Sequence, residues 1–353
     1  MKKGRKIKVG ISCGDINGVG MEVILKTFSD SRMLDICTPV IYGSAKASTF
    51  YKKQIKANDI MFNFIDAAGD AKSKKINLVN VTPDGVKVDL GKSTTEAGKL
   101  SFQSLERATL DLASNLVDVL VTAPINKENI QSEDFKFPGH TEYLANYANE
   151  DNPLMVMCYN NLRVGVVTGH IPLKKVAESI SEKAILSKLE VFEKTLLQDF
   201  GVRKPKLAVL GLNPHNGDKG LIGDEESEVI QPAIAKAKEK GHLVFGPYPA
   251  DGFFGSDLWQ KFDGVLAMYH DQGLTPFKAI SFDQGVNFTA GLPIVRTSPD
   301  HGTAYDIAGK GTASEGSFRN AVFLACDIYK QRAEFRELSA NPLTSQKVNK
   351  KER

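Results

Sequence analysis

Apolar and polar residues follow two rhythms along this chain. Short apolar runs at residues 7–12, 118–122, 164–168, 207–212 and 264–268 read as buried strands. Longer stretches between them carry apolar residues at helical spacing. Within residues 94–116, Ala97, Leu100, Leu105, Ala108 and Leu112 fall near one helical face, and Thr94 or Thr95 can cap the start. Further helices are predicted from residue 21 and over residues 181–198 and 225–240. Strands and helices taken in turn predict an α/β fold with a largely parallel sheet. No internal repeat or low-complexity segment is visible, and residues 339–353 read as a polar, frayed tail.

The length, 353 residues, allows two domains or one large α/β unit. A 42% hydrophobic and 25% charged composition is that of an ordinary globular protein, with ample material for a core. The net charge is only +3 and no basic stripe interleaves with aromatics, so no nucleic-acid surface is expected. Cys13, Cys37, Cys158 and Cys326 are scattered without a CxxC pair, which suits free thiols in a reducing compartment. The basic start MKKGRK is followed by an apolar run too short for a signal peptide, and no run approaches the ~18 apolar residues of a membrane span. A cytoplasmic enzyme is the expectation.

Three histidines are placed alike. VGVVTGH ends at His170, LAVLGLNPH at His215 and GVLAMYH at His270, each just past an apolar strand-like run. Ligands bind beyond the carboxyl ends of strands in open α/β sheets. Three imidazoles with an open fourth position suit a catalytic divalent ion, zinc above all. One histidine of this kind is ordinarily a hydrogen-bonded structural residue. For three of six, a shared metal site and separate structural roles both stay open. His140, in FPGHTEYLA, marks a helix start that Thr141 can cap; it is a candidate anion site or a plain helix start. His242 reads as a loop residue without a role. Beyond His270, Pro276, Phe277 and Lys278 read as a loop beside it, and Arg296 closes the apolar run 292–295. With Asn287, these basic residues are candidates for holding phosphate or carboxylate.

Two loops are rich in glycine. CGDINGVGME follows the first strand, but Gly14, Gly18 and Gly20 do not form GxGxxG, so the usual dinucleotide fingerprint is absent. Residues 298–318, SPDHGTAYDIAGKGTASEGSF, gather Gly302, Gly309, Gly311 and Gly316 with His301, Asp306 and Lys310. This segment can wrap a cofactor by backbone contacts, or be a surface loop.

HGTAYDIAGKG resembles the HG(S/T)APDIAGKG loop of the isopropylmalate and isocitrate dehydrogenases, which holds the adenosine part of NAD(P), and GDINGVGME resembles their GDGIGPE turn. The three histidines, PGHTEYLA, LNPHNGD, YHDQGLTPFK, GLPIVRTSPDHGTA and the PAD of 249–251 together resemble one branch of that group, the 4-hydroxythreonine-4-phosphate dehydrogenases of vitamin B6 synthesis. The resemblance runs from about Lys8 to Ala325. There are departures: Ile16 and Met21 stand for prolines of the first loop, Gly252 for a threonine after PAD, and Tyr305 for the proline of the isopropylmalate enzymes.

The resemblance implies two α/β domains around a cleft. The first would comprise residues 1–127 plus 298–338, the second 128–297 with metal and dimer contacts, and 339–353 a tail. It implies a metal held by His170, His215 and His270, drawn from both subunits of a homodimer, with zinc first and magnesium or cobalt as alternatives. It places His140, Thr141, Lys278, Asn287 and Arg296 on the substrate and His301, Gly302, Asp306 and Lys310 on NAD or NADP. Lys278 is the candidate catalytic residue. Asp251 is a second candidate, for proton handling or for orienting a ligand histidine, with an ordinary turn residue as the alternative. The implied reaction is oxidation of 4-phosphooxy-L-threonine at C3, then decarboxylation to 3-amino-2-oxopropyl phosphate. A catabolic dehydrogenase of 4-phospho-threonate or 4-phospho-erythronate remains the alternative.

Overall fold

A computed structural model describes residues 5–82 and 86–341. Within it, twelve strands form one sheet: β1 (Ile7–Ser12), β2 (Cys37–Gly43), β3 (Phe62–Ile65), β4 (Ile76–Asn80), β5 (Val119–Thr122), β6 (Leu154–Tyr159), β7 (Leu162–Thr168), β8 (Lys206–Leu210), β9 (Leu243–Tyr248), β10 (Gly264–Tyr269), β11 (Val286–Ala290) and β12 (Arg296–Pro299). Their order is β3-β4-β2-β1-β5-β12-β11-β6-β7-β10-β8-β9. Eight of the eleven neighbouring pairs are parallel. The three antiparallel pairs, β12–β11, β11–β6 and β6–β7, sit together in the middle. One sheet therefore spans both expected units, and the expected boundary at 297/298 falls inside β12.

The five predicted strands correspond to β1, β5, β7, β8 and β10. β5 is buried at all four positions, as a parallel strand covered on both faces must be. The predicted helices form as Gly20–Ser29, Thr95–Ala113, Glu182–Asp199 and a helix over Gln231–Glu239 preceded by a π-helical turn. Thr94 caps the second of these through Ala97 N, and Ser181 caps the third through Ala184 N.

Two local expectations are corrected. Pro276, Phe277 and Lys278 lie not in a loop but in the helix His270–Ser281, which tolerates Pro276 inside it. Gly273, Leu274, Phe277 and Ser281 are buried on one side of that helix, and this packing offsets the backbone hydrogen bond that a proline removes. The apolar run 292–295 before Arg296 is not a strand; Arg296 opens β12. Of the expected tail, residues 342–353 lie outside the described residues, and the last helix, Gly316–Ser339, runs through residue 339. That helix ties the two sides of the sheet together. Its Arg332 holds the buried Asp199 of the helix Glu182–Asp199 at 2.7 and 3.1 Å.

The loop after β5 is held close to the helix Thr95–Ala113. A Cβ added at Gly98 would lie 1.8 Å from the carbonyl oxygen of Asn129, and Asn129 in turn donates to the buried Asp15 at 2.8 Å. This segment leads the chain to His140. Gly98→Ala is therefore expected to destabilise the protein by about 1–3 kcal/mol through overpacking against backbone. A denaturant midpoint that falls at unchanged slope would bear this out; an unmoved midpoint would contradict it.

Candidate active site

The carboxyl ends of β5, β7 and β10 and the start of β12 border a pocket of about 300 Å³. Arg296 forms its floor and is 3% exposed. Its Nε and Nη2 donate to Thr122 Oγ1 at 3.1 and 2.7 Å, and its Nη1 donates to Thr289 Oγ1 at 3.1 Å. No carboxylate forms an ion pair with it among the described residues. Burial pulls its guanidinium down to about 10, against the field of Glu142 on the same wall. Two hydroxyls orient this cation but do not neutralise it.

Other polar atoms turn inward without partners. His140 Nε2, Asn287 Oδ1 and His301 Nε2 are buried and bond to nothing among the described residues, and all three residues line the pocket. Burial, reinforced by Arg296 and Lys127, holds His140 well below the ordinary histidine range, so it is neutral. His301 is lowered as well, chiefly by burial. Thr141 does not cap the helix His140–Tyr147. Gly139 takes that position, because His140 already has helical geometry, and the Thr141 hydroxyl lies 3.5 Å from that of Thr289. Lys278 reaches the pocket from the helix His270–Ser281, and its Nζ lies 3.1 Å from Asp300 Oδ1.

His170 and His270 stand together on this wall. Their ring centroids are 5.5 Å apart at 44°. His270 Nδ1 is 2.7 Å from Asp271 Oδ1, which leaves Nε2 for a ligand. Burial lowers His170, so its imidazole stays neutral, as metal ligation requires. His215 is elsewhere. It lines a different cavity of about 580 Å³ with Asp251, Tyr269 and Gln272, apart from Lys278. No group of three His, Cys, Asp or Glu side chains gathers among the described residues. Within one chain, the pair His170–His270 therefore offers a cation two imidazoles, not three.

The segment carrying His215 is unusual. Residues 215–219 all have positive φ, between 44° and 73°, although four of the five are not glycine. L-residues rarely occupy this region in succession, and such strain gathers at functional sites. The buried carboxylate of Glu226 anchors the entry to this segment, accepting from Leu212 N at 2.6 Å and Asn213 N at 2.7 Å. Gln272 links two histidine-bearing strand ends. It accepts from Met268 N at 2.7 Å and donates to Gly211 O at 2.6 Å.

Of the expected cofactor residues, His301 and Gly302 line the pocket, while Asp306 and Lys310 lie further along the same loop. That loop is fixed from behind. Glu22, fully buried, accepts from Gly309 N at 3.1 Å and Ala313 N at 3.0 Å, and Lys26 donates to Gly311 O at 2.9 Å. Tyr305 donates to the buried Asp15 at 2.8 Å, so it finds a partner where related loops carry proline. A Cβ at Gly302 would meet nothing within 4 Å. The unpartnered His301 nitrogen and this open backbone fit a bound cofactor. Glu22, Asp15, Gln272, Glu226 and Asp300 escape sequence reading. All but Glu226 sit inside the strings CGDINGVGME, YHDQGLTPFK and SPDHGTA, and nothing in those strings marks them as braces.

The chain matches the family model of the pyridoxal phosphate biosynthetic protein PdxA over residues 35–325. A 4-hydroxythreonine-4-phosphate dehydrogenase of Bacteroides thetaiotaomicron is 52% identical over 350 residues, covering 98% of this chain and 95% of that relative. A putative D-threonate 4-phosphate dehydrogenase of Clostridium botulinum is 35% identical, over 90% of this chain and 95% of its own. The crystal structure of 4-hydroxythreonine-4-phosphate dehydrogenase from Klebsiella pneumoniae superposes with a TM-score of 0.81 at 34% identity, covering 93% of this chain and 99% of that one. Fold and sequence agree: the chain belongs to the PdxA family of pyridoxal phosphate biosynthetic proteins.

Proposed function

We propose that this protein oxidises 4-phosphooxy-L-threonine at C3 with NAD+ or NADP+, and that the resulting 3-keto acid loses CO2 to give 3-amino-2-oxopropyl phosphate. The observation that carries this reading is Arg296, a buried guanidinium without a carboxylate, beside the unpartnered His140 Nε2 and Asn287 Oδ1. A small polyanion with its own donors completes every one of these groups. The relative sharing 52% of its residues bears the name of this activity.

Arg296 and Lys278 offset the substrate's negative charge. The helix start at His140 and Thr141 faces the phosphate, where neutral His140 donates from Nε2 and the first-turn amides add their own donors. Asn287 Oδ1 accepts from a substrate N–H or O–H. Holding the phosphate, which takes no part in the reaction, positions the neighbouring C3 for it. The loop with His301, Gly302, Asp306 and Lys310 would hold the dinucleotide, whose nicotinamide supplies the hydride acceptor. His170, His270 and a second chain's His215 would hold a divalent cation, zinc first, which would polarise the C3 oxygen.

The separation of His215 from the other two histidines supports a homodimer with a shared site. Large apolar side chains flank the histidine segments and face solvent in the single chain: Leu173 is 74% exposed, Leu221 81% and Phe282 86%. A dimer contact would cover these side chains. Asp251, beside His215, would then reach the site from the partner subunit as well. The four buried free cysteines suit a cytoplasmic location. No described helix is long and apolar enough to cross a membrane.

The relative named for D-threonate 4-phosphate favours a second reading, with hydroxyl in place of the amine. NADH formation on 4-phosphooxy-L-threonine, D-threonate 4-phosphate and 4-phospho-erythronate decides between them. We expect the amino acid to give the highest kcat/KM and a chelator to abolish turnover. Preference for a hydroxy acid would transfer the assignment to the second reading.

The shared site has its own test. Dimers reassembled from His215→Ala and His270→Ala chains should regain about a quarter of wild-type activity, because half the dimers are mixed and each mixed dimer holds one intact site of two. A mixture of His170→Ala and His270→Ala chains should stay inactive, because both losses fall on one wall. Recovery in the second mixture, or none in the first, contradicts the arrangement.

A further inference from the structure

The Lys278 side chain is half exposed, yet its ammonium has a defined place. Nζ lies 3.1 Å from Asp300 Oδ1 and 3.5 Å from the Asp300 carbonyl oxygen. Asp300 follows β12 directly, and its side chain is only 13% exposed. Its amide donates to Ser317 Oγ at 2.9 Å, and Ser317 donates onward to Gly285 O at 2.6 Å. Gly285 also makes room for the carboxylate, since a Cβ there would stand 3.2 Å from Asp300 Oδ2 and 2.8 Å from the Phe277 ring. Among the described residues, Lys278 is the only cation paired with this carboxylate. Burial pushes the Asp300 carboxyl up, and Lys278 beside it acts first among the groups that pull it back. Asp300 is thus held by the backbone on one side and by Lys278 on the other. Both line the pocket that Arg296 floors. Asp251, the carboxylate marked by sequence, lies on another wall.

Building on the function proposed above, we propose that Asp300 is a positioning residue that holds the Lys278 ammonium at the pocket wall and acts on the substrate through it. A free lysine on a flexible stem loses conformational freedom when an anion captures it. A lysine already tethered has lost most of that freedom, so its charge meets the substrate in one place. The tether has a cost, because a carboxylate in the pocket opposes the binding of an anion. Removing the charge of Asp300 should therefore separate binding from turnover.

The test uses Asp300→Asn, Lys278→Met and the double variant as intact purified enzyme, with 4-phosphooxy-L-threonine as substrate. Asp300→Asn should lower kcat while KM stays level or falls, and calorimetric binding of the substrate without dinucleotide should be no weaker. In the Lys278→Met background, Asp300→Asn should change kcat by less than about twofold and leave only the relief of repulsion, a KM that stays level or falls, because residues acting as one unit are not additive. Acetic anhydride labelling followed by mass spectrometry reads the tether without turnover. Lys278 of the Asp300→Asn protein should label about two- to fivefold faster, the range of a partly exposed ion pair, while other lysines stay unchanged. Multiplying losses in the double variant, a KM that rises together with a fall in Tm, or unchanged labelling of Lys278 would each overturn the proposal. Wild-type enzyme inert towards every phosphorylated acid would defeat the functional reading instead, and the labelling result would still decide the pairing.

Discussion

A guanidinium in the interior, bonded to two threonine hydroxyls and to no carboxylate, sets the terms for the rest of this molecule. Taking a charge out of water costs several kcal/mol in real proteins unless something neutralises it. Thr122 at the end of β5 and Thr289 in β11 give Arg296 direction but leave its charge uncompensated. A fold retains such a group when an anion arrives to complete it. The neighbours are consistent with that role. His140 is kept neutral so that it adds no second buried charge, and the Asn287 carbonyl oxygen waits without a donor. Under the function proposed above, a small phosphorylated acid would pair with each of these groups.

The sheet explains how these groups meet. Three antiparallel pairings in its centre bring β11 and β12 between the parallel strands of the two sides, so Asn287 and Arg296 line one pocket with His170 and His270. Gln272 braces the ends of β10 and β8, and Glu226 anchors the strained segment that presents His215. Of the three strand-end histidines, two line the pocket and the third, His215, lines a different cavity. Backbone strain of this kind gathers at functional sites, which supports the role proposed above for His215.

Much of this was legible in the sequence, for identifiable reasons. Strands buried on both faces leave unbroken apolar runs, so β1, β5, β7, β8 and β10 stood out, as did the histidines after three of them. β3, half-exposed, and β11 and β12, whose runs carry Asn287, Thr289, Arg296 and Thr297, give no such signal because polar side chains interrupt them. The helix after His270 was hidden by Pro276, whose local penalty is offset by packing that only the fold supplies. The candidate residues were legible because each lies in a motif, but their grouping was not. Spacing along the chain carries no information on which wall His215 or Asp251 occupies. Nor could it single out Asp300, whose role depends on a gap left by Gly285 and on a lysine 22 positions earlier.

The most direct measurement is the unfolding free energy of wild type and Arg296→Met, with and without 4-phosphooxy-L-threonine. Replacing an uncompensated buried cation with an apolar side chain of similar length should leave the ligand-free protein as stable as wild type or more so. The same change should remove the stabilisation that the substrate confers on wild type, about 2.7 kcal/mol at a hundredfold excess over Kd. A ligand-free Arg296→Met protein that is markedly less stable, yet still stabilised by the substrate, would show that the guanidinium serves the fold and that the anion binds elsewhere.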